Sequence, residues 1–566
     1  MKNAYVFRVT FENGTSSTGK LLDSDVPEFD VSYRMLYQLA KDRKPWMHFV
    51  DRLVESCPSL RLRIETVIEI LATLEKIDDM KDMTVILCVD GLQQLVNNGT
   101  KTCAFYRVLA TICNFLNSSR AFAVCVCSAT VQCPVDRALS DSPQKRVYLL
   151  PPPLRGQEVL KPRTRLEKLL VDDMGGHGRA LETLASVLRQ YTKDELEQTD
   201  PASVLDQVCS QLRLQYGELF ASPLFQDPAN CQAVLAAILS RRCYCVFDWV
   251  VPDMTVDQLR SCGMFRLTRD GTLECAFVIF LMLLRTLPKT SGAVADFDEH
   301  LTRTMLGWPR FEEFVAFYRR VKSMVYWGTP VKLSTFHSGA RFGPIHCILI
   351  NELQPRTIEE STSQQVSRSG SGDSTRHDVV DVSEMGTIVI NGASASAGDI
   401  FTRIQLTTAK KEIVCNEVIR CKLMQKNKKV DKTRYEDEKA KAVNDTDVFL
   451  LITSSDDVAE PFDLPERCGL VSKGEFDRYF GPFASRGHRS LQEPPNINTH
   501  ELSLVDGVGA ATAEKVIDGR RKRRFSSHDD VVSRLFPANK KCKPAEVLHA
   551  LHCDDEEDGS NSVKLL

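Results

Sequence analysis

The sequence lacks any long hydrophobic run. Its longest, CAFVIFLMLL from Cys275 to Leu284, is about half of what a bilayer-crossing helix needs, so it reads as a buried helix. The opening residues, MKNAYVFRVTFENG, have no basic-then-apolar signal pattern. Net charge is nearly missing, at −3, yet this says little about partners, because opposite charges are segregated along the chain: Arg520 to Arg524 are all basic and Asp554 to Asp558 all acidic. The 19 cysteines form no tight repeating framework, which favours reduced thiols in a cytosolic or nuclear setting over disulfides. The pairs Cys125/Cys127 and Cys243/Cys245 lack the two-residue spacer of a zinc knuckle, so no structural zinc site is expected. What is present, 43% apolar and 26% charged residues over 566 positions, fits a soluble globular protein with room for roughly three or four domains.

Along the chain, the first 160 residues alternate short apolar runs with helical stretches. AYVFRVTF, MTVILCVD and AFAVCVCSAT read as strands of a sheet, and DVSYRMLYQLAKD and PSLRLRIETVIEILATLEKI as helices. This alternation predicts an α/β domain over 1–160. Helical character follows over 161–325, where the run LEKLLVDDMGGHGRALETLASVLRQY breaks and restarts at Gly175 and Gly176. A second α/β domain is expected over 326–490, interrupted by a serine-rich, aromatic-poor insertion at 356–385 that reads as disordered. EPPNINTH is a linker into a small all-α module at 496–552, and 553–566 is an acidic tail.

The terminal module carries the sharpest motif. VDGVGAATAEKVIDGRRKRRF fits the helix–hairpin–helix pattern: Gly507, Val508 and Gly509 form the hairpin, and Ala513, Val516 and Ile517 lie on the packing face of the second helix. Glycine permits a positive φ and close approach to a phosphate. Unpaired N–H groups at the next helix start, through Ala510 and Thr512, then make an anion site. Lys515 and the cluster Arg520, Arg521, Lys522, Arg523 and Arg524 add salt-dependent attraction for neighbouring phosphates. Double-stranded DNA is therefore the expected partner, held mainly through its backbone; a surface hairpin for protein contact is the bland alternative. The stretch INTHELSLVDGVGAATAEKVIDGRRKRRFSSHDDVV resembles the bacterial competence-type version of the motif.

Two further constellations look worn. MTVILCVD ends in Asp90, where a Walker B strand places its carboxylate, but Gly91 stands where a water-orienting glutamate is normal. Arg179, in GGHGRALE, sits where a lid arginine would reach a terminal phosphate. NGTSSTGKL matches phosphate-loop spacing from Gly14 to Lys20, but Leu21 replaces the metal-binding hydroxyl, and a turn is the better reading. Farther on, ASASAGDIFTRIQLTT followed by IVCNEVIRCK is similar to a restriction-endonuclease core. Such a core uses an Asp on one strand, and a Glu two residues before a Lys on the next, to hold a metal and stabilise hydroxide. Asp399 and Lys422 fit, but the ligand position holds Arg420, a cation that repels the metal. Glu417 could substitute only if the strand bulged, since period-two alternation turns it away from Lys422; Glu436 and Glu438 on the following helix are weaker candidates.

In order, VFRVTFENGT, VILCVD, PPPLRG, DDMGGHGRALE, RFEEFVAFYRRVKS, ASASAGDIF, NEVIRCK and FDRYFGPFASR resemble the effector region of the Crinkler family, related to retrotransposon hot spot proteins. The resemblance implies a multidomain α/β fold: a degenerate P-loop ATPase-like sheet with a helical lid, a restriction-endonuclease-like domain and the small all-α module. It also implies a secreted effector acting in the host nucleus, with host nuclear proteins as further partners. The family's phosphate loop would precede the first strand, and its Leu-Phe-Leu-Ala-Lys translocation motif is absent from this chain, which leaves the export route and the truncation of the amino end open. The combined expectation is DNA occupancy that alters host transcription or defence without catalysis, no membrane association and no firm cofactor. The alternative is a metal-dependent DNA endonuclease using Mg2+ with Asp399, Glu417 and Lys422.

Overall fold

In a computed structural model, the described residues fall within 3–11, 29–128, 152–287, 311–361 and 382–492, with short breaks, plus Val147, Leu149 and a small ladder at 553–554 and 564–565; most of the serine-rich 356–385 insertion lies outside them. Within 3–128, three β-rich runs form a parallel sheet in chain order: β1 (Ala4–Thr10), β2 (Thr84–Asp90) and β3 (Phe122–Cys127). Between them run α1 (Asp30–Leu39), α2 (Trp46–Ser56), α3 (Ile64–Glu75) and α4 (Ala104–Ser118). Alternation along each strand buries Phe7, Val9, Val85, Leu87 and Val89 against Val67, Ile68, Val108 and Ile112 of the helices. On the opposite sheet face Val6, Phe122, Val124 and Val126 are exposed.

The next segment turns helical because its apolar residues recur at helical spacing. A capping box between Thr164 and Glu167 starts α5 (Arg165–Asp173). Gly175 and Gly176 take positive φ, and α6 (Gly178–Leu188) begins after His177 caps it. A Cβ on Gly176 would meet the Leu154 carbonyl oxygen at 2.4 Å, so this turn requires glycine. Then follow α7 (Pro201–Gln215), α8 (Pro228–Ser240), α9 (Phe277–Leu284) and α10 (Phe311–Val325). Every residue of α9 is buried, as its unbroken apolar run predicts. The segment is not purely helical: two short antiparallel ladders, Trp249–Val251 with Met254–Thr255 and Phe265–Leu267 with Leu273–Cys275, interrupt it.

The second sheet runs β4 (Thr357–Glu360), β5 (Thr387–Ile390), β6 (Ile400–Thr407), β7 (Glu412–Lys422), β8 (Val448–Thr453) and β9 (Cys468–Val471), closed by Arg341–Phe342. β5 to β7 pair antiparallel; β7 to β9 pair parallel, with α11 (Lys432–Ala442) as the crossover between β7 and β8. β4 corrects one expectation. The serine-rich composition predicts disorder from Arg356, yet Thr357–Glu360 pair in register with β5 and Arg356 is buried.

The sheet has two apolar faces. Val418, Phe401, Phe449 and Leu451 pack with Tyr435 and Ala442 of α11. Ile419, Cys421, Ile400 and Ile452 pack with α10 in a core that continues from Leu170 to Ala484. The closing helices α12 (Phe476–Phe480) and α13 (Ala484–Gln492) pack aromatic rings on α10 and tie back to α5. Arg486 donates to buried Asp173 at 3.0 and 2.7 Å, and Arg489 donates to Asp172.

The fold is therefore mixed α/β, with helices and several sheets. Residues 493–552, which hold Gly507 to Arg524, and the Gly14 to Lys20 turn lie outside the described residues.

Candidate functional site: a carboxylate centre filled by arginine

Asp399 stands immediately before β6, fixed by its own backbone. Its N–H donates to the Ile419 carbonyl at 3.1 Å, and its carbonyl accepts from Asn391 N–H at 2.8 Å. Gly398 precedes it at φ +125, and a Cβ there would meet Val418 Cγ1 at 2.6 Å. Antiparallel pairing of β6 with β7 brings the Asp399 carboxylate to the far end of β7, where Arg420 and Lys422 share one face.

The guanidinium of Arg420 fills the space between two carboxylates. Its Nη1 donates to Asp399 Oδ1 at 2.7 Å and its Nε to Glu438 Oε2 on α11 at 3.2 Å. Lys422 Nζ reaches Glu438 Oε1 at 2.9 Å, and the Cys421 N–H donates to Asp399 Oδ2 at 2.6 Å. Burial pushes the Asp399 carboxyl up to about 7, with Arg420 opposing and Glu312 adding to the rise. Burial would also raise Glu438, but Lys422, then Arg420 and Lys441, win and hold it below the usual carboxylate range.

The metal implied by a restriction-type centre does not suit these donors. The charges of Asp399 and Glu438 are already met by two protein cations, and a guanidinium lies between them. Displacing it would leave a largely buried arginine without its carboxylates. Among the described residues, no three His, Cys, Asp or Glu side chains are grouped to hold a metal ion.

Glu417, offered by sequence as a substitute ligand, is not brought in. β7 keeps an unbroken register with β6 and β8, so there is no bulge to turn it over. Its carboxylate lies on the opposite face, 2.5 Å from Arg319 Nε and 3.1 Å from His337 Nε2. Burial alone would raise its pKa, but Arg319 and His337 hold it far below the usual range. Arg319 also donates to Glu352 at 2.5 Å, and Glu352 accepts from Arg356 at 2.7 Å. This buried chain spans elements far apart in sequence, and no local pattern announces it.

The nucleotide-type residues have local partners. Asp90 ends β2, where Ser128 Oγ donates to its carboxylate, and Gly91 turns the chain at φ +75. Arg179 lies on α6 with its guanidinium 4.8 Å from the Tyr216 ring centre. Of the two weaker candidates on α11, Glu438 is brought to the centre beside Asp399 and Lys422, whereas Glu436 pairs with Lys439 at 4.0 Å. The signal for it was a glutamate on the strongly charged helix RYEDEKAKAV, one turn beyond Tyr435, which packs on the sheet.

No helix of the described residues is long and apolar enough to cross a membrane. No family model and no solved structure matches the chain. Among curated proteins it is similar to Crinkler effector protein 108 of Phytophthora sojae, with 62% identity over 566 residues, covering 98% of this chain and 68% of that protein. With that identity over that span, the chain belongs to the Crinkler effector family.

Proposed function

We propose that this chain is a secreted effector that works in the nucleus of a host cell by occupying DNA without cutting it. The observation that carries the second half is the Arg420 guanidinium seated between Asp399 and Glu438. An Asp before one strand and a Lys at the end of its antiparallel neighbour support an origin as a restriction-type nuclease. The arginine supports loss of the metal step. Asp90 at the tip of the central strand of the first sheet supports, in the same way, a worn nucleotide-binding domain with Arg179 as a remnant of its lid.

DNA binding rests on the terminal pattern. In that sequence pattern Gly507, Val508, Gly509, Ala510 and Thr512 are the positions of a phosphate-facing turn, and Lys515 with Arg520 to Arg524 supply charge. Contacts of this kind grip the backbone and leave base edges unread, so altered transcription would follow from occupancy more than from choice of sequence.

The test uses the full chain with supercoiled plasmid and Mg2+ or Mn2+, beside a gel shift on short duplexes. A shift without nicking is expected. Cleavage that Asp399→Ala abolishes would overturn the non-catalytic reading and install the endonuclease in its place. Failure to shift any duplex in dilute buffer would remove the DNA-binding half.

A further inference from the structure

Among the described residues β3 is one of the two edge strands of the first sheet, and it carries Cys125 and Cys127. Two residues apart on a strand, they project from the same face, and their Sγ atoms are 3.5 Å apart. Cys127 is exposed, and Cys125 is half-buried. Cys113, half-buried on α4, is close enough to add to the upward push on the Cys125 thiol.

The spacing separates two fates for such a pair. A disulfide needs sulfurs about 2.05 Å apart and β-carbons about 3.8 Å apart. The two sulfurs stand 3.5 Å apart, so closing a disulfide would need them to approach by about 1.5 Å. Two sulfurs bound to one tetrahedral centre, with bonds of about 2.3 Å, sit about 3.8 Å from each other. The observed 3.5 Å is within a few tenths of that bite without backbone movement. The missing two-residue spacer, which rules out a zinc knuckle, is what puts both sulfurs on one side of the strand.

We propose that Cys125 and Cys127 form a two-thiolate site for one soft, thiophilic centre of the zinc(II) or trivalent arsenic class. Binding breaks two S–H bonds and forms two bonds from sulfur to the same centre. With Zn(II) both protons go to solvent; with a trivalent arsenical oxide they leave with its oxygen as water. No electron is transferred in either case. Solvent completes the coordination of a metal ion at this exposed edge. Soft thiolates select such centres over magnesium or calcium.

Cys243 and Cys245 provide an internal comparison. They have the same spacing and are both exposed, but the Cys245 thiol is turned to Asp248 Oδ1 at 3.2 Å.

The experiment treats the reduced full chain with one equivalent of phenylarsine oxide or of Zn(II). Maleimide alkylation and peptide mapping follow. Cys125 and Cys127 should be protected together and lose most of their alkylation, while exposed Cys57 and the Cys243/Cys245 pair react freely. Cys127→Ser should release Cys125 from protection, and Cys125→Ser should release Cys127. Both variants are read beside a circular dichroism spectrum to show an intact fold. Protection of one cysteine that survives loss of the other would overturn the chelate. So would alkylation of both at the Cys57 rate with the probe present.

Discussion

Asp399 carries its charge at a place that resists it, and the consequence can be read in pH. Its ordinary value of 3.8 rises to about 7 in the fold, chiefly through burial. Between those values the native state keeps a proton that the unfolded chain has lost, so stability falls as pH rises across that window. Asp399→Asn should remove this slope, which urea midpoints measured from pH 4 to pH 8 would show; an unchanged slope would place the titration elsewhere.

Lys322 gives the opposite kind of burial. Among the described residues its Nζ has no hydrogen-bond partner, and it lies 4.1 to 4.7 Å from the Tyr479 and Tyr318 ring centres. Burial holds its pKa well below the lysine range, against Glu417 and with Arg319. Between that lowered value and 10.5 the unfolded chain binds more protons than the native state, so stability rises with pH there and the penalty is fully present below it. Lys322→Met should raise the urea midpoint at pH 7, and the gain should shrink toward pH 10. Glu417→Gln, by contrast, strips Arg319 of one buried partner and should cost about 3–5 kcal/mol in the same assay.

At this scale the strand alternation made Asp399, Lys422 and the turning-away of Glu417 legible. The Arg319–Glu352–Arg356 chain was not, because Arg319 meets its partners 33 and 98 positions away.

Among the elements, the turn between α5 and α6 has a strict requirement for glycine. Gly176 combines φ +74 with a carbonyl oxygen in the path of any Cβ. Gly176→Ala should lower thermal stability by about 1–3 kcal/mol, whereas Gly178→Ala, with a normal φ and its nearest neighbour at 3.6 Å, should be nearly silent. The paired glycines made this turn readable from sequence, and the unbroken apolar run did the same for α9. The two ladders between Trp249 and Cys275 escaped notice because strands of two or three residues are too short to show a period. β4 escaped because Thr357–Glu360 directly precedes a serine-rich stretch whose composition outweighed four residues of pairing.

For the whole molecule, charge segregation is the decisive property. A chain of net charge −3 that binds duplex through one basic cluster should respond steeply to salt. Changing Arg520 to Arg524 into alanines should flatten the plot of log affinity against log salt, by about one unit of slope for each phosphate the protein no longer neutralises. Gly507→Val with Gly509→Val should weaken all duplexes alike. A gel shift unaffected by both changes would assign binding to another surface. Composition and strand–helix alternation foretold the mixed α/β architecture. The joining of helices and second sheet in one core, from Leu170 to Ala484, was hidden because it depends on which faces meet.

The bonds from α13 to α5 also set a timetable. Asp173 is fully buried, and its guanidinium partner on Arg486 lies 313 positions downstream. While the chain is being synthesised, the α5–α6 hairpin has no counter-ion for that carboxylate until α13 has left the ribosome. A nascent chain arrested before Ala484 should stay open to protease at the hairpin. Release of α13 is then the step that locks the middle of the protein.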